Sequence, residues 1–286
     1  MQPNPEFVKL PKSFWAAVKS VSQHCGYTSR NEGTVKVPSP DEIRDAFASL
    51  GLDPDALLAD LNGKTLLDRL GDYYRYRADL LNRVVEPLLM DAAQAKKEFE
   101  KLRKRLQPKC PIPMNKQKGA MKAPAYLTGM VNMLIEANCE GRSVDYDPRQ
   151  LTTVTRNGVP LRTLSRRVDG AFPSPVNPTA IWEIKEYYYT TTFGSRVADG
   201  VYETLLDGME LEELAHSENH RVLHYLFLDA RYTWWDCGNS YLCRIVDMVQ
   251  MGYVDEVIVG REVITRLPVL VREWINPESQ TLPLNQ

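Results

Sequence analysis

The amino-acid sequence predicts an α/β fold: a mixed central β-sheet flanked by helices, preceded by a helical N-terminal region. Three observations carry this expectation. VLHYLFL, residues 222–228, is almost wholly apolar, as a strand buried on both faces should be. After residue 125, stretches of strand and helix pattern alternate, which is the habit of α/β units. Before residue 108, helical spacing prevails, with Tyr76, Leu80, Leu81, Val84, Val85, Leu88 and Leu89 on one face.

Residues 13–25 and 40–50 read as short helices. Ser39 is a good cap for the second, with Pro40 in its first turn and Asp41 and Glu42 behind it. The polar stretch YTSRNEGTVKVPS between them, with Gly33, reads as a loop or small hairpin. Residues 72–106 read as one long helix bent by Pro87. Its second half, AKKEFEKLRKRL, turns basic, and the Pro- and Lys-rich QPKCPIPMNKQKGAMKAP that follows reads as a linker. The expected organisation is therefore a mainly helical region at 1–108, serving DNA binding or dimerisation, and a core at 109–286.

In the second part, residues 125–138 pattern as an amphipathic helix with Leu127, Val131, Leu134 and Ile135 on one face. Residues 150–156 and 159–168 read as strands joined by Arg156-Asn157-Gly158, a strong hairpin signal. IWEIKEYYY (181–189) is a further strand, 197–215 a helix, 222–228 a strand, 240–251 a helix and VDEVIV (254–259) a strand. The order is αβββαβαβ.

Composition sets limits on function. Apolar residues make up 43% and charged residues 25%, the mix of a soluble globular protein. No apolar run approaches the ~18 residues of a membrane span. The N-terminal MQPNPEFVKLPKSFW has no apolar core of the signal-peptide kind, so the expectation is a cytoplasmic protein with no membrane partner. Cys25, Cys110, Cys139, Cys237 and Cys243 are odd in number and contain no CxxC pair, which speaks for reduced, structural thiols.

Charge is segregated. Net charge is −2, yet residues 92–122 carry ten Lys or Arg against Glu98 and Glu100, a local +8 that leaves about −10 elsewhere. Such a stripe can bind phosphates on a protein that is acidic overall. Lys104, Arg105, Lys116, Lys118 and Lys122 are its candidate DNA contacts.

The chemistry-bearing pattern is VDG followed by WEIK. Asp169 is expected to end the second strand of the hairpin, just before Gly170. Glu183 and Lys185 are two apart on a strand and so share a face. The Pro- and Asn-rich FPSPVNPTA between the strands would bring Asp169 beside them. Two carboxylates on neighbouring strands can hold Mg²⁺, a hard ion that prefers oxygen and keeps several waters. The ion eases deprotonation of a water and neutralises charge on a reacting phosphate. The lysine can orient that water, and Glu183 and Lys185 lower each other's cost of being charged in a partly buried site.

Asp169 with Glu183-Ile184-Lys185 resembles the PD-(D/E)xK nuclease superfamily, to which most Type II restriction endonucleases belong. The superfamily's strand-end Asp falls on Asp169, and its acid-x-Lys on Glu183-Ile184-Lys185, the one such triplet in the chain. Val168 stands where Pro is often found. The superfamily's αβββαβ core matches the elements from 125 to 229 in order and leaves the first 108 residues unexplained. Many members carry a glutamate in the first core helix; here its one acid is Glu136, near the C-terminal end.

The resemblance implies a restriction-endonuclease-like core and a Mg²⁺-dependent endonuclease that hydrolyses double-stranded DNA. Asp169, Glu183 and Lys185 would be catalytic, and Asp169 and Glu183 the metal ligands. It further implies a Type II enzyme acting as a homodimer, because a two-fold protein matches a palindromic site. The alternatives are a repair or phage-defence DNase on the same fold, and a DNA-binding protein whose acid-x-Lys is structural.

Other candidates carry less. His216, His220 and His224 recur every fourth residue, but Ser217-Glu218-Asn219 reads as a loop and His224 lies in a strand. Thr190 to Thr192, Gly194 and Arg196 form a polar stretch expected to touch phosphates or bases. The helix after it is acidic (Asp199, Glu203, Asp207, Glu210, Glu212, Glu213); its outer face should avoid DNA and meet solvent or a partner, and Glu203 reads first as a solvated helix acid, with reach to the metal as the alternative. Tyr187 to Tyr189 and Trp234-Trp235 read as core or interface rather than base-stacking platforms.

Overall fold

The structure is a computed structural model and describes residues 1–276 apart from residues 9, 30–32 and 190–193 and the side chains of Ala120 and Arg196. Three helices open the chain: α1 (Lys12–Cys25), α2 (Pro40–Ser49) and α3 (Leu66–Asp79). A small hairpin, β1 (Thr28–Ser29) with β2 (Thr34–Val35), lies between the first two. Ser39 caps α2 in a full capping box with Glu42, satisfying two otherwise unpaired amides. Phe14, Trp15, Val18, Ile43, Phe47, Leu70, Tyr73 and Tyr74 form the core of this region.

The expected long helix at 72–106 is broken. After α3 comes a π-helical turn at Leu80–Val85, then a 3-10 turn at Glu86–Leu88 that contains Pro87. The helix restarts as α4 (Ala92–Leu106) behind a second capping box, in which Asp91 Oδ1 accepts from the Gln94 amide at 2.7 Å. Proline cannot donate its amide to a preceding carbonyl, and Asp-x-x-Gln offers the backbone a fresh start.

Helix α4 packs Ala95, Phe99 and Leu102 against α5 (Tyr126–Asn138). The contact is close at Gly129, where a Cβ would come within 2.6 Å of the Phe99 ring. The Pro- and Lys-rich segment between these helices folds along α5: the Lys109 amide donates to Glu136, and Asn132 Nδ2 donates to the Pro111 carbonyl.

The hairpin β3 (Thr153–Arg156) and β4 (Val159–Thr163) forms where Asn157-Gly158 places it, with positive φ at both turn residues. It makes its own two-stranded sheet and does not join the central one. Asp169 therefore does not end its second strand. The strand stops at Thr163, and the chain runs through Leu164 and Val168, both buried, to a separate short strand, β5 (Gly170–Phe172).

Among the described residues the central sheet has the order β5-β6-β7-β8, with β6 (Ala180–Lys185), β7 (Leu223–Leu228) and β8 (Glu256–Val259). β5 is antiparallel to β6, whereas β6, β7 and β8 are parallel. The sheet is mixed and helices cover both faces. On one face Trp182, Phe172, Tyr225 and Phe227 pack against α5 and α8 (Val263–Ile275), with Trp182 stacked on Trp274 at 5.7 Å between ring centroids. A Cβ on Gly170 would clash with the Trp182 indole at 2.1 Å, so glycine at that position is what lets the ring lie across β5.

The opposite face is covered by α6 (Ser195–Glu218) and α7 (Asn239–Gln250). Strand alternation sends Ile181, Glu183 and Lys185 to this side. A helix rises about 6 Å in four residues and a strand about 6.6 Å in two, so α6 keeps pace with β6. Ile181 meets Leu211 and Leu214, Glu183 lies near Asp207, and Lys185 lies near Glu203 and Gly200.

The N-terminal helices are tied to α7 by a buried ion pair: Arg77 Nη1 stands 3.1 Å from Asp247 Oδ1, and Tyr73 Oη also donates to Asp247. Among the described residues no helix is long and apolar enough to cross a membrane.

Candidate active site

The β5–β6 pair builds the site. Gly170 is paired with Trp182, and the Asp169 amide donates to the Trp182 carbonyl at 3.1 Å. Continuing that register by one residue sets Asp169 opposite Glu183. Directly opposed residues have Cβ atoms about 4.5–5.5 Å apart. Because β5 begins only at Gly170, the Ile184 amide finds its acceptor in Asp169 Oδ2, at 2.8 Å. The carboxylate of Asp169 is thus fixed by the strand that carries Glu183 and Lys185.

Lys185 Nζ donates to Glu183 Oε2 at 2.9 Å and to Glu203 Oε2 at 2.8 Å. Both Glu183 and Lys185 are buried, so this pair does not lie on a solvent face. Gly200 makes room for the lysine: a Cβ there would come within 3.1 Å of Lys185 Cδ and Cε.

Arg166, from the segment between β4 and β5, closes the cluster. Its Nη1 is 2.8 Å from Glu183 Oε1 and 2.6 Å from Asp207 Oδ2; its Nη2 is 3.2 Å from Glu183 Oε2 and 3.4 Å from Glu203 Oε2. The Nη1–Oε1 contact is an ion pair without hydrogen-bond geometry, which leaves Glu183 Oε1 buried and without a hydrogen bond. Asp207 Oδ1 is also buried and unbonded.

Four acids face two bases here, and their electrostatics show a deficit of positive charge. Asp169 is exposed at the strand end, yet the protein around its inner side, and then the Glu183 charge, push it up to about 6. Burial raises Asp207 to about 7 against the pull of Arg166, and Glu183 adds to the rise. Burial acts on Glu183 in the same sense, but Lys185 and Arg166 outweigh it and hold Glu183 below its ordinary value. Burial works to discharge Lys185, but Glu183 and Glu203 hold its pKa above the usual lysine value.

The structure brings Asp169, Glu183 and Lys185 together. Among the described residues no three His, Cys, Asp or Glu side chains are grouped so as to hold a metal ion by themselves. Mg²⁺ does not require three: it is commonly held by one or two carboxylates, waters and a phosphate. Asp169 and Glu183 supply two hard oxygen donors, Glu183 Oε1 is without a hydrogen bond, and the raised acids mark a place where added positive charge is favourable. The residues fit the ion.

Sequence reasoning missed Arg166 and Asp207 and ranked a solvated Glu203 above one that reaches the site; Glu203 is half-buried and bonded into the cluster. The signal was present: Glu203, Asp207 and Glu210 follow i, i+4, i+7 and line one face of α6. Glu210 accepts from the Ser165 amide and hydroxyl, so the inward face of this helix is acidic too.

The remaining candidates scatter. Lys104, Arg105, Lys116, Lys118 and Lys122 are all exposed, and no ion pair among the described residues engages them. The last three lie on the segment leading into α5, whose start is held to the end of β6 by the Thr128 amide bonding Glu186 at 2.9 Å. The side chain of Arg196 and Thr190 to Thr192 lie outside the described residues. His216, in α6, and His224, buried in β7 against the Tyr253 carbonyl, form no common site with His220. Glu136 faces the Lys109 amide.

A family described as Domain of unknown function (DUF7687) matches residues 90–274. The chain belongs to this family. A second, described as Domain of unknown function (DUF7690), matches residues 1–84. Neither the curated proteins nor the solved structures compared with the chain give a match. The DUF7687 match takes in α4 to α8, β3 to β8 and every residue of the acid cluster. The DUF7690 match takes in α1 to α3.

Proposed function

We propose that this DUF7687 protein is a Mg²⁺-dependent endonuclease that hydrolyses phosphodiester bonds of double-stranded DNA on a restriction-endonuclease-like core. Its cleavage is site-specific, in the manner of a Type II restriction enzyme, and it acts in the cytoplasm as a homodimer. The observation that carries this is the juxtaposition of Asp169 and Glu183 across β5–β6, with Lys185 Nζ 2.9 Å from Glu183. Bound Mg²⁺ would neutralise charge on the phosphate and ease deprotonation of a water.

The chain's own residues do the rest. Asp169 and Glu183 would hold the ion and orient what enters beside it. Lys185, held protonated by Glu183 and Glu203, acts as a charge and hydrogen-bond donor rather than as a base. The exposed lysines at 116, 118 and 122 hold the duplex by its phosphates.

Purified protein incubated with phage DNA and Mg²⁺, against an EDTA control, tests this directly. Discrete bands are expected. A smear would mean a nonspecific DNase of the repair or defence kind. A mobility shift without cuts would mean a non-catalytic DNA-binding protein. That second reading is favoured by one observation: the Glu183 side chain is 1% exposed. Sedimentation of the intact chain, alone and with a palindromic duplex, tests the dimer.

A further inference from the structure

We propose that Arg166 gates this site: its guanidinium covers Glu183 and must leave that carboxylate before a divalent cation can reach it, with Asp207 keeping the guanidinium close by. The proposal rests on the metal-nuclease reading above. Glu183 is completely buried, yet it is one of two carboxylates available to an incoming cation. What covers it on the outer side is Arg166, whose side chain is 23% exposed, whereas Lys185 is only 9% exposed. Arg166 is the outer cation of the two, and it touches both Glu183 oxygens.

A second cation and Arg166 compete for the same oxygens, and like charges at such distances repel. Arg166 lies on a segment outside any helix or strand, so its departure breaks no backbone ladder. The segment is anchored one residue earlier by Ser165, which bonds Glu210 through both amide and hydroxyl. Asp207 is fully buried on α6, 2.6 Å from Nη1, and is not one of the two proposed metal ligands. It can keep the guanidinium nearby when Glu183 is taken. A guanidinium freed from a carboxylate has a donor fork suited to two phosphate oxygens. Arg166 therefore couples cation entry to phosphate binding.

The test uses Mn²⁺ as the probe and the intact chain without DNA. Mn²⁺ binding is measured by calorimetry for wild type, Arg166→Met and the charge-balanced Arg166→Met/Asp207→Asn. Both variants should bind Mn²⁺ roughly tenfold or more tightly than wild type, the direction set by removing a competing positive charge. Cleavage should fall at the same time. Unchanged or weaker Mn²⁺ binding by the variants overturns the gate. Tighter binding in the variants, with no DNA cut by wild type, leaves the gate standing and removes the nuclease. Cleavage by wild type, with Mn²⁺ affinity unmoved in the variants, does the reverse.

If neither variant folds, the wild-type chain still decides. Phenylglyoxal labelling of Arg166, followed by peptide mapping, should rise when Mn²⁺ is saturating. Labelling that does not change overturns the proposal.

Discussion

Asp169 Oδ2 accepts the Ile184 amide at 2.8 Å, so the acid is anchored to the backbone between Glu183 and Lys185. Its other oxygen is not needed for that bond. Asp169→Asn keeps a side-chain carbonyl that can accept the same amide while removing the charge. The variant is expected to fold and to lose its response to Mg²⁺. For a single site, ligand at one hundred times its Kd stabilises by about 2.7 kcal/mol. Thermal melts with Mg²⁺ and with EDTA should differ for wild type and coincide for the variant. An Asp169→Asn chain that Mg²⁺ stabilises as much as wild type would remove Asp169 from the metal site.

The pH dependence of stability should reveal the crowding of acids. Asp207 is pushed up to about 7 from an ordinary value near 3.8. A carboxyl raised in the folded state adds stability that is fully present below its unfolded pKa and is lost as pH rises through the folded pKa. The window for Asp207 is therefore about pH 4 to 7. Other buried groups titrate as well, and Asp207→Asn isolates this one. In EDTA, the stability of wild type minus that of the variant should fall across the window. The fall is on the order of 1–4 kcal/mol, because a tenfold change in a proton-binding constant is worth about 1.4 kcal/mol. Urea melts of both proteins at pH 5 and pH 8 measure it; a difference that stays flat or rises would show that Asp207 is not held up.

Much of the site was legible in the sequence, and the limits have physical causes. Glu183 and Lys185 share a face because strand alternation is strict, and the triplet sits on a strand that the apolar pattern reveals. Asp169 arrives beside Glu183 by another route than the hairpin would suggest. β5 is three residues long, too short for alternation to show, and it forms because Gly170 admits the Trp182 ring. Glu203 and Asp207 share a face of α6 with Glu210, a spacing the sequence shows, but that this face lies antiparallel along β6, and that Arg166 meets it there, is a tertiary relation that no local pattern gives. The break at residues 80–91 was signalled by Pro87, read as a bend, and by Asp91-x-x-Gln94, which the continuous apolar spacing across the break masked.

Gly200 offers a test of positioning that leaves the charges untouched. A Cβ at this point on α6 would come within 3.1 Å of Lys185 Cδ and Cε and 3.3 Å of Tyr187 Oη. Gly200→Ala should displace the Lys185 ammonium from Glu183 and Glu203. In a helix interior alanine is intrinsically better than glycine by roughly 0.5–1 kcal/mol, which offsets part of the crowding. Cleavage should fall about tenfold, equivalent to about 1.4 kcal/mol of transition-state energy, with DNA affinity unchanged. A drop in affinity without a drop in the single-turnover rate would mean that Lys185 is not at the reacting phosphate.

The last prediction separates holding DNA from cutting it. Lys116, Lys118 and Lys122 are exposed, unpaired by any described acid, and on the segment that leads into α5 beside the end of β6. Phosphate contacts of this kind dominate affinity and make it salt-dependent, because each neutralised phosphate releases condensed counterions. Replacing all three with alanine should weaken binding to any duplex and flatten the log–log salt dependence by about 0.9 for each phosphate no longer neutralised. Surface changes of this sort leave folding within about 0.5 kcal/mol. Cleavage of bound DNA at saturating protein should proceed at the wild-type rate, since none of the three touches Asp169, Glu183 or Lys185. Glu183→Gln should give the converse result: no cutting, with binding retained. A salt slope unchanged by the triple replacement would show that these lysines do not meet the backbone, and the duplex would then have to be held by another surface.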